Sequence, residues 1–137
     1  MKEIFSSHIK YPNASWPILL LRIAGGGLML LHGIPKLQKL FAGAPIKFAD
    51  PFGLGPAFTL SLTVFAEVLC AVFILVGFKT RAASIPLAFT MFVAAFVIHW
   101  PDPLKKKELA LMYFLVYVAL FFVGSGKFSI DNAISKK

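Results

Sequence analysis

Cysteine occurs once in the 137 residues, as Cys70, and acidic residues number only 6. A lone thiol closes no internal disulfide and leaves no CxxC pair for redox chemistry within the chain. Charge of either sign is scarce as well, at 15% of residues where soluble domains carry about a quarter. No internal repeat or low-complexity segment is present. These deficits exclude a disordered chain, a coiled coil and an ordinary soluble enzyme. What fills the chain is apolar, 58% of it, with 15 Phe and a mean hydropathy of +0.80. The length allows one domain, residues 1–137, and so many phenylalanines in so small a domain would leave large apolar patches in water. The solvent for this chain is lipid.

The remaining charge leans one way, with 14 Lys and Arg giving a net +8. These cations lie between and beside apolar runs rather than on one polar face, as membrane-flanking cations do. No zinc spacing and no aromatic-basic strip accompanies them, so nucleic acid is excluded as a partner.

Four apolar stretches, 16–40, 57–78, 82–100 and 104–123, are separated by turn and charge punctuation. The second alone is about 33 Å long as a helix, enough to cross a hydrocarbon core of about 30 Å. The first begins after a cap signal at Asn13 to Ser15, with Pro17 early in the helix. Lys79-Thr80-Arg81 and Pro101-Asp102-Pro103 make short connections, so successive helices should run as antiparallel neighbours. The expected fold is all-α: an integral membrane bundle of four antiparallel transmembrane helices. Trp16 and Trp100 should mark opposite membrane surfaces. Ala42-Gly43-Ala44 resembles a signal-peptide cleavage site, but Arg22, Lys36 and Lys39 and the length before it identify a retained helix. Cation counts at the two faces are nearly equal and leave orientation undecided.

Polar groups at membrane depth carry the functional signal, because each needs a partner there. Arg22, Gly25, Met29, His32 and Lys36 fall within an arc of roughly 80° on the first helix. That stripe should face the interior, although Lys36 is expected to snorkel to the headgroups and Arg22 could do the same. Glu67 lies at the middle of the second stretch and is too short to snorkel; unpaired it would cost about 3 kcal/mol. Taking Gly26 as the midpoint of the first helix puts Arg22 about 6 Å and His32 about 9 Å along the axis from the level of Glu67. A Glu67–Arg22 pair follows as the expectation.

His99 ends the third stretch and Glu108 enters the fourth on the face of His32 and Lys36. A metal site from His32, His99 and Glu108 lacks any HxxxH or ExxH pairing, and none is expected. His32, Lys36, His99 and Glu108 should instead form the mouth of one internal cavity with Arg22 and Glu67 as its floor, a shape suited to a flat headgroup with two carbonyls. Cys70 reads as a packing residue, Gly25-Gly26-Gly27 as a close helix contact, Gly124-Ser125-Gly126 as a helix cap, and Tyr113 and Tyr117 as interhelical hydrogen-bonding groups.

Leu21-Arg22, His32-Gly33-Ile34-Pro35-Lys36-Leu37, Glu67, Gly77-Phe78-Lys79-Thr80-Arg81-Ala82-Ala83 and Gly124-Ser125-Gly126-Lys127-Phe128-Ser129-Ile130-Asp131 occur in this order. The set resembles the DoxX family of small bacterial membrane proteins across nearly the whole chain. The resemblance implies a multi-pass protein of the bacterial inner membrane with both termini cytoplasmic. The family takes its name from a subunit of a thiosulfate:quinone oxidoreductase, other members are linked to membrane redox and oxidative-stress assemblies, and distant relatives act in assembly or trafficking of membrane proteins. Relatives built around dithiols need paired cysteines, which this chain lacks.

Two functions follow as expectations. One is an accessory, quinone-interacting subunit of a membrane oxidoreductase, in which Arg22, His32 and Lys36 donate to quinone carbonyls and Glu67 accepts a proton. The other is a non-enzymatic scaffold or assembly chaperone whose polar cluster only holds the helices together. No flavin, haem or metal pattern supports independent turnover. The expected partners are membrane lipids, a redox protein and a second copy of the chain.

Overall fold

The computed structural model describes residues 14–137 and is all-helical across them. Asn13 of the cap signal lies outside those residues. Three helices are long and apolar enough to cross a membrane: α1 (Ser15–Phe41), α2 (Pro56–Val76) and α3 (Thr80–Ile98). A fourth, α4 (Leu104–Val123), is equally long but carries Lys105, Lys106, Lys107 and Glu108 in its opening turns. A short helix, α5 (Ile130–Ser135), follows.

The boundaries have local causes. Pro56 opens α2, where its missing N–H costs nothing, and Gly55 before it takes a φ of 101° that favours glycine. Gly77 closes α2 in the left-handed conformation. A π-helical turn interrupts α1 at Ile23–Leu28 and α2 at Phe65–Cys70, and a third ends α3 at Ala94–Ile98. Such turns carry an i→i+5 pattern and alter the register of every residue beyond them.

The outer surface is unlike a soluble protein's, and a few polar side chains lie within the apolar core. Leu20, Leu115 and Phe122 are more than 60% exposed, whereas Arg22, Glu67 and Ser84 are buried. Water would penalise that outer surface, and hydrocarbon does not. Trp16 and Trp100 are both exposed, near the start of α1 and just beyond α3.

Two glycines bring α1 against α2. A Cβ on Gly26 would lie 2.7 Å from the carbonyl oxygen of Ala71, and one on Gly33 would lie 2.5 Å from that of Glu67. Small residues permit this backbone approach, as in close membrane helix contacts. Gly33 therefore sets Glu67 directly beside the C-terminal half of α1. On the other side of α1, the Tyr117 hydroxyl of α4 donates to the Gly25 carbonyl at 2.7 Å, inside the π turn.

Candidate functional site

Among the described residues Glu67 is the most deeply placed acid, with its side chain 2% exposed, and its partner is Lys36. Lys36 Nζ donates to Glu67 Oε2 at 2.6 Å. This corrects both the expected Glu67–Arg22 pair and the expected snorkelling of Lys36. The cause is the level at which α1 meets α2. Gly33, not Gly26, abuts Glu67, seven residues and about 10 Å farther along the helix. Lys36 then sits less than a turn beyond that contact, within reach of its own stem.

Arg22 belongs to a separate structure. Its Nε donates to the Ile74 carbonyl at 3.0 Å and its Nη2 to Leu75 at 2.9 Å. Its Nη1 donates to Ser125 at 2.9 Å and to Phe128 at 2.5 Å. The Ile74 and Leu75 carbonyls close α2, where the helix dipole favours a cation. Asp131 accepts from the backbone N–H of Lys79 and Thr80 and so caps the start of α3. One guanidinium thus ties α1, the end of α2 and the segment 125–128 together. Arg22 does not form part of the floor under Glu67.

The Lys36–Glu67 pair is instead the shared wall of two cavities. The larger, about 840 Å³, is mostly apolar and is bordered by Phe65, Phe89, Val93 and Ile98 with Phe48 and Phe52 from the 42–55 segment. The smaller, about 190 Å³, is bordered by His32, His99, Lys106 and Tyr113. Lys36, Glu67, Ala94 and His99 line both. Of the six sequence candidates, the structure brings together His32, Lys36, Glu67 and His99. Glu108 is exposed and borders neither of these cavities.

His99 is oriented by Asp102, whose Oδ2 lies 2.8 Å from His99 Nδ1. The hydrogen bond to His99 holds the Asp102 carboxyl below the ordinary carboxylate range; burial opposes this, and the nearby Lys106 charge adds to it. His32 stands exposed and meets Tyr113 edge to face at 5.9 Å between ring centres. Cys70 is buried in the core. Among the described residues, no three His, Cys, Asp or Glu side chains are grouped to hold a metal.

Sequence reasoning missed Asp50. Its carboxylate accepts from the N–H of Leu54 and Gly55 and from the Thr59 hydroxyl, all within 2.9 Å. These bonds fold the 42–55 segment onto the start of α2 and bring its phenylalanines over the large cavity. The signal was an Asp before the Pro56 helix start, but apolar periodicity says nothing of a turn that closes over nine residues.

The DoxX family model matches residues 18–100. An uncharacterized protein of Haemophilus influenzae is 28% identical over 127 residues, covering 88% of this chain and 92% of its own. A Bacillus subtilis protein named "Putative oxidoreductase CatD" is 27% identical over 127 residues, covering 90% of this chain and 92% of its own. No solved structure matches the chain. The family match takes in Arg22, the Lys36–Glu67 pair and His99, so both the carbonyl-bound arginine and the wall between the cavities lie inside it. This chain is a membrane protein of the DoxX family.

Proposed function

We propose that this protein is a quinone-interacting accessory subunit of a redox system in the bacterial inner membrane. In this reading α4 is a fourth span, the four long helices are antiparallel, and both termini are cytoplasmic. The observation that carries it is a Lys36–Glu67 ion pair, its carboxylate buried and its lysine half-buried, facing an apolar cavity of about 840 Å³. Ligand sites of that size are mostly apolar, with a few convergent polar groups that fix orientation. A quinone has the matching chemistry: a flat ring with two carbonyl acceptors and an apolar tail. The Lys36 ammonium can donate to one carbonyl, His99 can donate or accept at the rim, and the tail lies along Phe65, Phe89 and Val93. Glu67 holds the Lys36 side chain through the ion pair and can exchange a proton with the headgroup. The oxidoreductase name carried by the Bacillus subtilis relative supports a redox setting.

Photoaffinity labelling with a quinone analogue tests the reading. Adducts are expected on α2, α3 and the 42–55 segment, and should diminish at least tenfold in Lys36→Met and Glu67→Gln. Absence of labelling, or labelling that both variants leave unchanged, would return the protein to the role of scaffold.

A further inference from the structure

The two cavities differ in character, yet they meet at one ion pair. The larger is walled by aromatic and aliphatic side chains. The smaller presents ionisable groups from three of the long helices and the turn after α3: His32 and Lys36 of α1, Glu67 of α2, His99 just beyond α3, and Lys106 and Tyr113 of α4. Lys106 and His32 are exposed, so this pocket leads from the surface to a carboxylate that is otherwise buried. A purely structural ion pair needs no polar approach from outside, and exposing it to water weakens its Coulomb attraction.

We infer that the smaller pocket is an aqueous proton port for Glu67. Water occupying it connects the surface to the carboxylate, and His99, oriented by Asp102, is the group placed to relay. The step moves a proton alone. An O–H bond forms on Glu67 as an N–H bond of the imidazolium or an O–H bond of a hydronium breaks. The same proton then passes to an oxygen of whatever occupies the large cavity, and no electrons move in it. Lys106 and Lys36 line the port beside His32 and His99. Only the acceptor of the proton rests on the quinone reading; the port itself does not.

Thiol labelling separates the two claims, because it needs no quinone. In a Cys70→Ala background, Glu67→Cys and Ala94→Cys place a thiol at the shared wall; Ala94 makes no polar bond there, so its variant preserves folding. Both should react with a small charged methanethiosulfonate in detergent. Ala110→Phe, which fills only the smaller pocket, should slow that reaction at least tenfold, and Val93→Phe, in the larger cavity, should change it less than twofold. A thiol at Ala94 that resists the charged reagent, or one slowed by Val93→Phe and not by Ala110→Phe, would overturn the port. Intact charged-reagent kinetics with no photoaffinity adduct would instead remove the quinone and leave the port standing.

Discussion

At the scale of single residues, two cations on one helix stripe have opposite duties. The hydrogen-bond acceptors of Arg22 are backbone carbonyls, which do not titrate, and the Asp131 charge lies near enough to attract the guanidinium. Replacing it with Met strands acceptors at the end of α2 and should lower stability by about 3 kcal/mol, since each hydrogen bond to a charged group contributes about 1.5–3 kcal/mol. Arg22→Lys should recover less than half, because an ammonium cannot serve four carbonyls in a planar fork. Thermal unfolding in detergent measures both. Lys36 and Glu67 should behave as a unit: Lys36→Met leaves a buried carboxylate alone and should cost about 3 kcal/mol, much of it regained when Glu67→Leu is added. A double-mutant cycle should show coupling between positions 36 and 67, and less than about 0.5 kcal/mol between 22 and 67. The depth of Glu67 and the inward facing of Arg22, Gly25 and Met29 were legible from hydropathy and helical geometry, whereas His32 on the same stripe is exposed. The pairing was not legible, because it depends on how far two helices slide past each other, which glycine contacts and π turns decide.

Among the elements, α1 and α2 are held at a distance that only glycine allows. Gly33→Ala places a methyl group against the Glu67 carbonyl and should cost about 1–3 kcal/mol by overpacking. The same shift would move Glu67 relative to Lys36, so analogue labelling should fall further than stability does. The 42–55 segment answers to pH. Burial works against ionisation of Asp50, but hydrogen bonds from Gly55, Thr59 and Leu54 together outweigh it and hold the carboxyl below its usual range. A group depressed in this way stabilises the fold above its unfolded pKa and loses that contribution as pH falls through the folded value. Amide protection at Leu54 and Gly55 should therefore be full at neutral pH and decline below about pH 4. Asp50→Asn should have weaker protection at neutral pH and little further change on acidification.

The whole molecule is apolar on its outside as well as in its core, with a few polar groups buried among the core side chains, a distribution that 58% apolar content and scarce acids dictate for a chain of this length. The helical class and the membrane-capable spans follow directly from it. The cover over the large cavity does not, because segment 42–55 has no periodicity and owes its shape to Asp50. For the proposed four-span arrangement, single cysteines at Lys47 and Lys137 should label from opposite sides of the membrane, and labelling from one side would exclude it. The grip of Arg22 also has a temporal side. Its acceptors at Ser125 and Phe128 lie 103 and 106 positions later in the chain. During synthesis the guanidinium enters the bilayer long before they exist, and α2 supplies only Ile74 and Leu75 in the interval. A nascent chain halted near residue 120 therefore carries a half-satisfied buried cation, the kind of defect that membrane quality control can sense. Chains truncated there should turn over faster than full-length protein in pulse-chase experiments, and Arg22→Met should narrow the difference.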